Sequence, residues 1–277
     1  APDEDPGPMK VILPDEKTIR KRVKRIKAAF EKNSNFLKHL GGDIRNLHIG
    51  EVTDMDNMQL YLGWPGSPVT LEDDPIRYLY GDEVRLWNQD PGENDIVSIL
   101  MYGLRTYSNI SKALFTTVPG TKGDLSDKYH SKCQQYSIHI ICPHCGKYHK
   151  AAFENVDIDK DENGKFYPAK YYKPDKKNKR RKPRARYVCP KCGVLWTEYE
   201  RMAAVSGCKA CPDGCEIDDN GDIVGEYEDS EEKAISFPAV LLNIAFLKIE
   251  DLAADFVGAV KAREMGDISS YRSFWIN

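Results

Sequence analysis

The chain has 277 residues, 41% of them hydrophobic and 30% charged, and a formal net charge of −3. That length is enough to bury a core in one large domain or two, and the composition fits a soluble globular protein. No apolar run approaches the roughly 18 residues of a membrane span, and no signal peptide opens the chain. It begins Ala-Pro-Asp without an initiator Met and stops within the apolar "SFWIN". Both ends read as cut, as expected for part of a longer polypeptide.

In chain order, "MKVILP" predicts a short buried strand. "DEKTIRKRVKRIKAAFEK" predicts an amphipathic helix with Ile19, Val23, Ile26 and Phe30 on one face and Lys and Arg on the other. Further strands are expected at "NMQLYLGW" and at "IRYLYGD", which ends in two adjacent acids, Asp82 and Glu83. Acids beside apolar residues are costly to bury unless paired or bound to a metal. "ENDIVSILMYGLRTY" predicts a helix with Ile96, Ile99 and Leu100 inward, and "SKALFTTVPG" a strand with its terminal loop. Strand, helix and strand in this order point to an α/β layer.

The cysteines come next. Cys142 and Cys145 in "CPHCGKYH", and Cys189 and Cys192 in "CPKCGVLW", form two C-P-x-C-G knuckles. Each tight turn points two thiolates at one centre, so the pair supplies four soft ligands for tetrahedral zinc. Disulfides or free thiols are the rival reading, but a disulfide scaffold spreads its cysteines more regularly. Four thiolates leave no open coordination position, which makes the zinc structural. Cys208, Cys211 and Cys215, with Cys133 or a histidine, are candidates for a second zinc, against a reading as reduced thiols.

Residues 146–188 separate the knuckles. Within them "DKDENGKF" predicts a hairpin turn; it is not a calcium loop, because its glycine and closing glutamate are misplaced. The segment 173–187 is dense in cations. Lys176, Lys177, Lys179, Arg180, Arg181, Lys182, Arg184 and Arg186 are its candidate phosphate contacts, against the plainer reading of a charged solvated loop. Residues 216–233 are acidic and read as a solvated hairpin or loop, after which an apolar strand and an amphipathic helix return by residue 266.

The order of these features resembles the large subunit of tailed-phage terminases of the lambda-like group, over nearly the whole chain. The stretches that carry the resemblance are "DPGPMKVILPDEKTIRKRVKRI", "LGWPGSPVTLEDDPIRYLYGDEVRLW", "YGLRTYSNISKALFTTVPGT", "QQYSIHIICPHCG" and the run from "AVLLNIAF" to the terminal "SFWIN". The resemblance implies an α/β fold: a partial P-loop-type ATPase sheet with helices, interrupted by a zinc ribbon with a basic insertion. It implies an ATPase core over 1–135, the ribbon over 136–235, and a return to the core over 236–277, ahead of a nuclease.

It also implies roles. Asp82 would bind Mg²⁺, and Glu83 would be the catalytic carboxylate for ATP hydrolysis. Thr116 and Thr117 would begin the loop that senses nucleotide, where Val118 departs from the family's usual Thr. Arg105 would be structural or reach phosphate. The implied partners are double-stranded DNA, the small terminase subunit, the portal protein and further copies in a ring, in the cytoplasm of an infected bacterium. No G-x-x-x-x-G-K-S/T segment occurs in the sequence. The phosphate-binding loop is therefore expected before residue 1, and the fragment alone is expected to bind ATP poorly. Two other readings stand beside this one: a non-catalytic zinc-ribbon module that binds nucleic acid, and a structural assembly protein.

Overall fold

The computed structural model describes residues 5–40, 43, 45, 52–67, 71, 74–87, 95–120, 122–172 and 184–276. The chain divides into two units, residues 1–127 and 128–277.

The first unit is built on five strands, β1 (Met9–Ile12), β2 (Val52–Asp54), β3 (Gln59–Gly63), β4 (Tyr78–Asp82) and β5 (Lys112–Thr116), in the order β2-β3-β1-β4-β5. β3, β1, β4 and β5 are mutually parallel, and β2 runs antiparallel to β3. Helix α1 (Glu16–Glu31) follows β1 and starts where the Asp15 carboxylate accepts the Thr18 N–H at 2.7 Å. Its predicted apolar face is the one it buries: Ile19 and Val23 join Leu13, Leu40, Leu60 and Leu62, with Ile26 and Phe30 packed at the margin. A short helix α2 (Ser34–His39), absent from the sequence reading, is capped by Asn33. Helix α3 (Ile96–Gly103) buries Ile96, Val97 and Leu100, with Ile99 half-buried. It is shorter than expected. The Gly103 carbonyl accepts the Ile76 N–H, and a Cβ on Gly103 would lie 2.9 Å from the Asp74 carbonyl oxygen. The chain therefore tightens into a 3₁₀ turn over Leu104–Tyr107. Helix α4 (Leu125–His130) spans the boundary between the units.

The second unit centres on β6 (Gln134–Ile141). It pairs antiparallel with β7 (Tyr148–Lys150) and with β10 (Lys209–Pro212), and parallel with β13 (Lys233–Ser236). β8 (Val156–Ile158) and β9 (Ala185–Tyr187) form a second antiparallel pair. The expected hairpin within 159–166 is present, closed by a Lys160–Phe166 bridge. The acidic segment contains a small hairpin of β11 (Glu216–Ile217) and β12 (Ile223–Val224). Helix α5 (Glu198–Ser206) opens with a reciprocal cap between Thr197 and Glu200. Helix α6 (Ile249–Glu264) buries Ile249, Leu252, Ala253, Ala254, Val257 and Ala259, and α7 (Ile268–Ile276) follows. Residues 236–277 belong to this unit. The apolar strand expected beyond Ser236 does not form there. Pro238 has no N–H to give a ladder, and a 3₁₀ turn over Ala239–Leu241 replaces it.

One buried cation fixes that turn. Arg201 on α5 is 1% exposed. It donates to the Glu198 carboxylate at 2.9 and 2.7 Å, to the Val240 carbonyl at 2.6 Å and to the Leu242 carbonyl at 2.7 Å. The other Glu198 oxygen accepts the Ile249 N–H at the start of α6, at 2.6 Å. Arg201→Met keeps the bulk but removes the donors to one oxygen of the Glu198 carboxylate and to the Val240 and Leu242 carbonyls. It should destabilise the protein by about 3 kcal/mol, measured by denaturant unfolding; a midpoint equal to wild type would show the clamp to be dispensable.

Candidate functional site

Parallel pairing brings the carboxyl ends of β4 and β5 to one edge, with Asp82 in register with Thr116. The Thr116 hydroxyl donates to Asp82 Oδ1 at 3.1 Å and lies 3.1 Å from the Tyr80 hydroxyl. The Trp87 indole N–H donates to the Asp82 carbonyl at 3.0 Å. Arg22 on α1 stands 3.9 Å from Asp82 Oδ2. Gly81 breaks the apolar run for a steric reason. A Cβ there would come within 2.6 Å of the Phe115 ring and 2.7 Å of the Trp87 ring, so the two aromatics close over the strand only because residue 81 has no side chain.

Glu83 leaves the strand with φ 51 and ψ 51, the single non-glycine residue at positive φ among the described residues. For a residue with a Cβ this conformation costs on the order of 1 kcal/mol or more. The kink ends β4 and aims the carboxylate at the loop after β5. Glu83 Oε2 accepts the Val118 N–H at 3.4 Å and lies 3.5 Å from Arg85 Nε. The Arg85 N–H donates to the Thr117 hydroxyl at 3.3 Å, and that hydroxyl donates to the Val118 carbonyl at 3.0 Å. The Asp82 and Glu83 side chains remain 19% and 31% accessible, so both can reach a ligand. The structure thus gathers Asp82, Glu83, Thr116 and Thr117, all singled out from the sequence. It adds Tyr80, Arg22, Arg85 and the Val118 amide, which were not. Tyr80 was within reach of sequence reasoning, since it shares a strand face with Asp82 by the two-residue period. Arg105 is exposed and stacks on the Tyr102 ring at 3.9 Å.

In the second unit β6 delivers Cys142 and β9 delivers Cys189. The two knuckles repeat one geometry. Gly146 N–H bonds to the Cys142 carbonyl at 2.9 Å and Gly193 N–H to the Cys189 carbonyl at 2.8 Å, with φ of 72° and 74° at the glycines. The left-handed turn that each knuckle needs is open to glycine without strain. The sulfur atoms of Cys142, Cys145, Cys189 and Cys192 all lie within 4.8 Å of one another. Cys142 and Cys192 approach to 3.8 Å, and Cys145 and Cys189 to 3.9 Å. A tetrahedral zinc with bonds of about 2.3 Å requires sulfur separations of about 3.8 Å, so the cluster fits structural zinc. Burial pushes the Cys189 thiol up to about 12. His149 is buried against the Tyr187 and Trp196 rings, and burial brings it down to about 4, so it packs as a neutral ring.

The second cysteine set does not converge. The first cluster is the one group of metal-ligating side chains found among the described residues. Cys211 and Cys215 are instead core residues packed with Ile217, while Cys208 is exposed. Of the basic segment, Lys176, Lys177, Lys179, Arg180, Arg181 and Lys182 lie outside the described residues. Arg184 and Arg186 flank and form part of β9, where the Arg184 N–H donates to Asp159 Oδ2 at 2.8 Å.

Residues 2–209 match the family described as phage terminase large subunit gpA, ATPase domain. No curated protein and no solved structure matches the chain. Among the described residues, no helix is long and apolar enough to cross a membrane.

The four-sulfur geometry predicts about one zinc per chain, measured by elemental analysis. Zinc must displace protons from thiols such as Cys189, so titrating zinc into metal-free protein at pH 7 should release protons. Calorimetry in buffers of different ionisation enthalpy reads this directly. For the same reason acidification favours the protonated thiols and expels the metal. Cys142→Ser should lower zinc content and unfold the ribbon locally; full zinc occupancy in that variant would remove Cys142 from the ligand set.

Proposed function

The chain belongs to the ATPase-domain family of phage terminase large subunit gpA, and on that premise we propose that it is the ATP-hydrolysing part of a lambda-like motor that drives double-stranded DNA into a capsid. The observation that carries the site assignment is the Asp82–Glu83 pair at the carboxyl end of a parallel strand, beside Thr116. Open parallel sheets present ligands to that edge.

In this reading Asp82 would hold the magnesium ion of the nucleotide, while Thr116 and Tyr80 fix the carboxylate by hydrogen bonds. The bound ion would supply charge neutralisation on the phosphate oxygens. Glu83 orients the attacking water and accepts its proton. The Val118 N–H and Arg85 approach the same Glu83 oxygen, so a shift in the loop after β5 moves that carboxylate. This supports Thr116 and Thr117 as the start of a nucleotide-sensing loop. It also softens the departure at Val118, because the contact with Glu83 is made by main chain and survives a change of side chain.

The phosphate-binding loop would come from sequence outside these 277 residues. β5 is an edge strand in the described sheet, with Lys112, Ala113 and Leu114 exposed. A further parallel strand at that edge would bring its loop beside Thr116 and Asp82. Zinc at Cys142, Cys145, Cys189 and Cys192 would hold the ribbon, and the basic segment around 176–186 would contact DNA phosphates. The partners that follow from this reading are the small subunit, the portal protein and further copies in a ring, in the host cytoplasm.

In the intact polypeptide Glu83→Gln should abolish hydrolysis, by on the order of a hundredfold or more, while ATP binding persists. Asp82→Asn should instead weaken binding of the magnesium–nucleotide complex. Steady-state hydrolysis and equilibrium nucleotide binding separate the two. Normal turnover in both variants would leave the acid pair as a strand-ending turn and put the catalytic carboxylate elsewhere in the polypeptide.

A further inference from the structure

A strongly cationic helix face lies apart from the acid pair and the cysteine cluster. α1 carries seven Lys and Arg against Glu16 and Glu31 at its two ends, in a chain whose net charge is −3. At 3.6 residues per turn, Lys17, Arg20, Lys21, Lys24, Arg25 and Lys27 fall within roughly 160° of arc. Ile19, Val23, Ile26 and Phe30 occupy the opposite side and face the core. Of the six cations, five are exposed and Lys27 is half-buried. Arg20 alone has an ion-pair partner, Glu16; the other five make none among the described residues. A solvated helix face ordinarily mixes acids and bases at i, i+4 to limit self-repulsion. Here Lys17, Lys21 and Lys24 repel one another with no acid between them.

From this we infer that the outer face of α1 is a docking surface for the phosphate backbone of duplex DNA. Cations at i, i+3 and i+4 stand about 5–6 Å apart, a spacing suited to a continuous anion array. Interfacial membrane binding does not fit, because it needs the apolar face that α1 has already buried. The surface reads no bases: it offers Lys and Arg heads without an element shaped to enter a groove. The seventh cation, Arg22, sits off this arc and within 3.9 Å of Asp82 Oδ2. One helix therefore faces phosphate on its outer side and touches the magnesium-binding candidate on its flank. The identity of the polyanion rests on the packaging-ATPase reading, but binding through α1 needs no hydrolysis.

The test is fluorescence anisotropy of the zinc-loaded protein with a labelled duplex at several salt concentrations. Each neutralised phosphate contributes a log–log slope of about 0.9. Lys17→Gln/Lys21→Gln/Lys24→Gln should make the slope shallower by about 2–3 and weaken binding about tenfold or more near 0.1 M salt. A second variant, Arg25→Gln/Lys27→Gln, should reduce the slope by about 2. Both replace side chains outside the core, all exposed but the half-buried Lys27, with a good helix former, and thermal melts equal to wild type confirm the fold. A control, Lys160→Gln/Lys165→Gln/Lys170→Gln, removes the same charge from exposed positions of the second unit and should leave the slope within experimental error. An unchanged slope in either α1 variant, an equal effect in the control, or no duplex binding by wild type would overturn the proposal. If wild type fails to bind duplex while the intact polypeptide hydrolyses ATP through Glu83, the α1 surface falls and the ATPase reading stands. If α1 governs binding but Glu83→Gln leaves hydrolysis intact, the acid-pair assignment falls and the surface stands.

Discussion

Asp82 meets Thr116, and Glu83 meets the loop that follows, because β4 and β5 run parallel and in register. An antiparallel pairing would place the start of one strand beside the end of the other and scatter these groups. Parallel pairing sends both chains out of the sheet at one edge, and β1 adds the beginning of α1 to the same edge through its own register with β4. Acid pair and hydroxyl loop are then neighbours through short side chains, and Arg22 reaches the same edge through its guanidinium. Gly81 serves the same end, since its missing Cβ lets Trp87 and Phe115 close over the strand and lets Trp87 hold the Asp82 carbonyl.

The second unit depends on a different constraint. Four thiols within 4.8 Å of one another repel strongly once ionised, and burial opposes ionisation of Cys189 further. A divalent cation removes both penalties. It also closes the chain between Cys145 and Cys189, 44 positions apart, whose ordering would otherwise cost loop entropy. The aromatic stack of Tyr187 and Trp196 with neutral His149 packs beside the same knuckles, so core and metal cluster stabilise one another.

The features legible in the sequence were those governed by short-range chemistry. The knuckles need only a Cys-Pro-x-Cys-Gly turn, the α1 face needs only 3.6 periodicity, and the hairpin near Asp161 needs only its turn residues. α5 was missed although its signal stood in "TEYE", where Thr197 and Glu200 form a capping box. The strand expected past Ser236 misread an apolar run that Pro238 interrupts. Arg201 was not legible at all. An arginine is ordinarily exposed, and its burial is set by carbonyls some 40 positions away that meet only in the folded chain. Glu83's contacts with Val118 and Arg85 belong to the same class: the residue type was visible, and the strained backbone that aims it was not.

That backbone sets stability and activity at odds at one position. A left-handed conformation is met without penalty by glycine and with little by asparagine, so either substitution at residue 83 would relieve the kink after β4 while deleting the carboxylate. With Glu83 in its proposed catalytic role, a screen for thermostable variants would enrich changes at residue 83 that remove the carboxylate needed for hydrolysis, and ranking by melting temperature would promote them. On that role, engineering this domain for robustness would hold residue 83 fixed and seek its gains elsewhere.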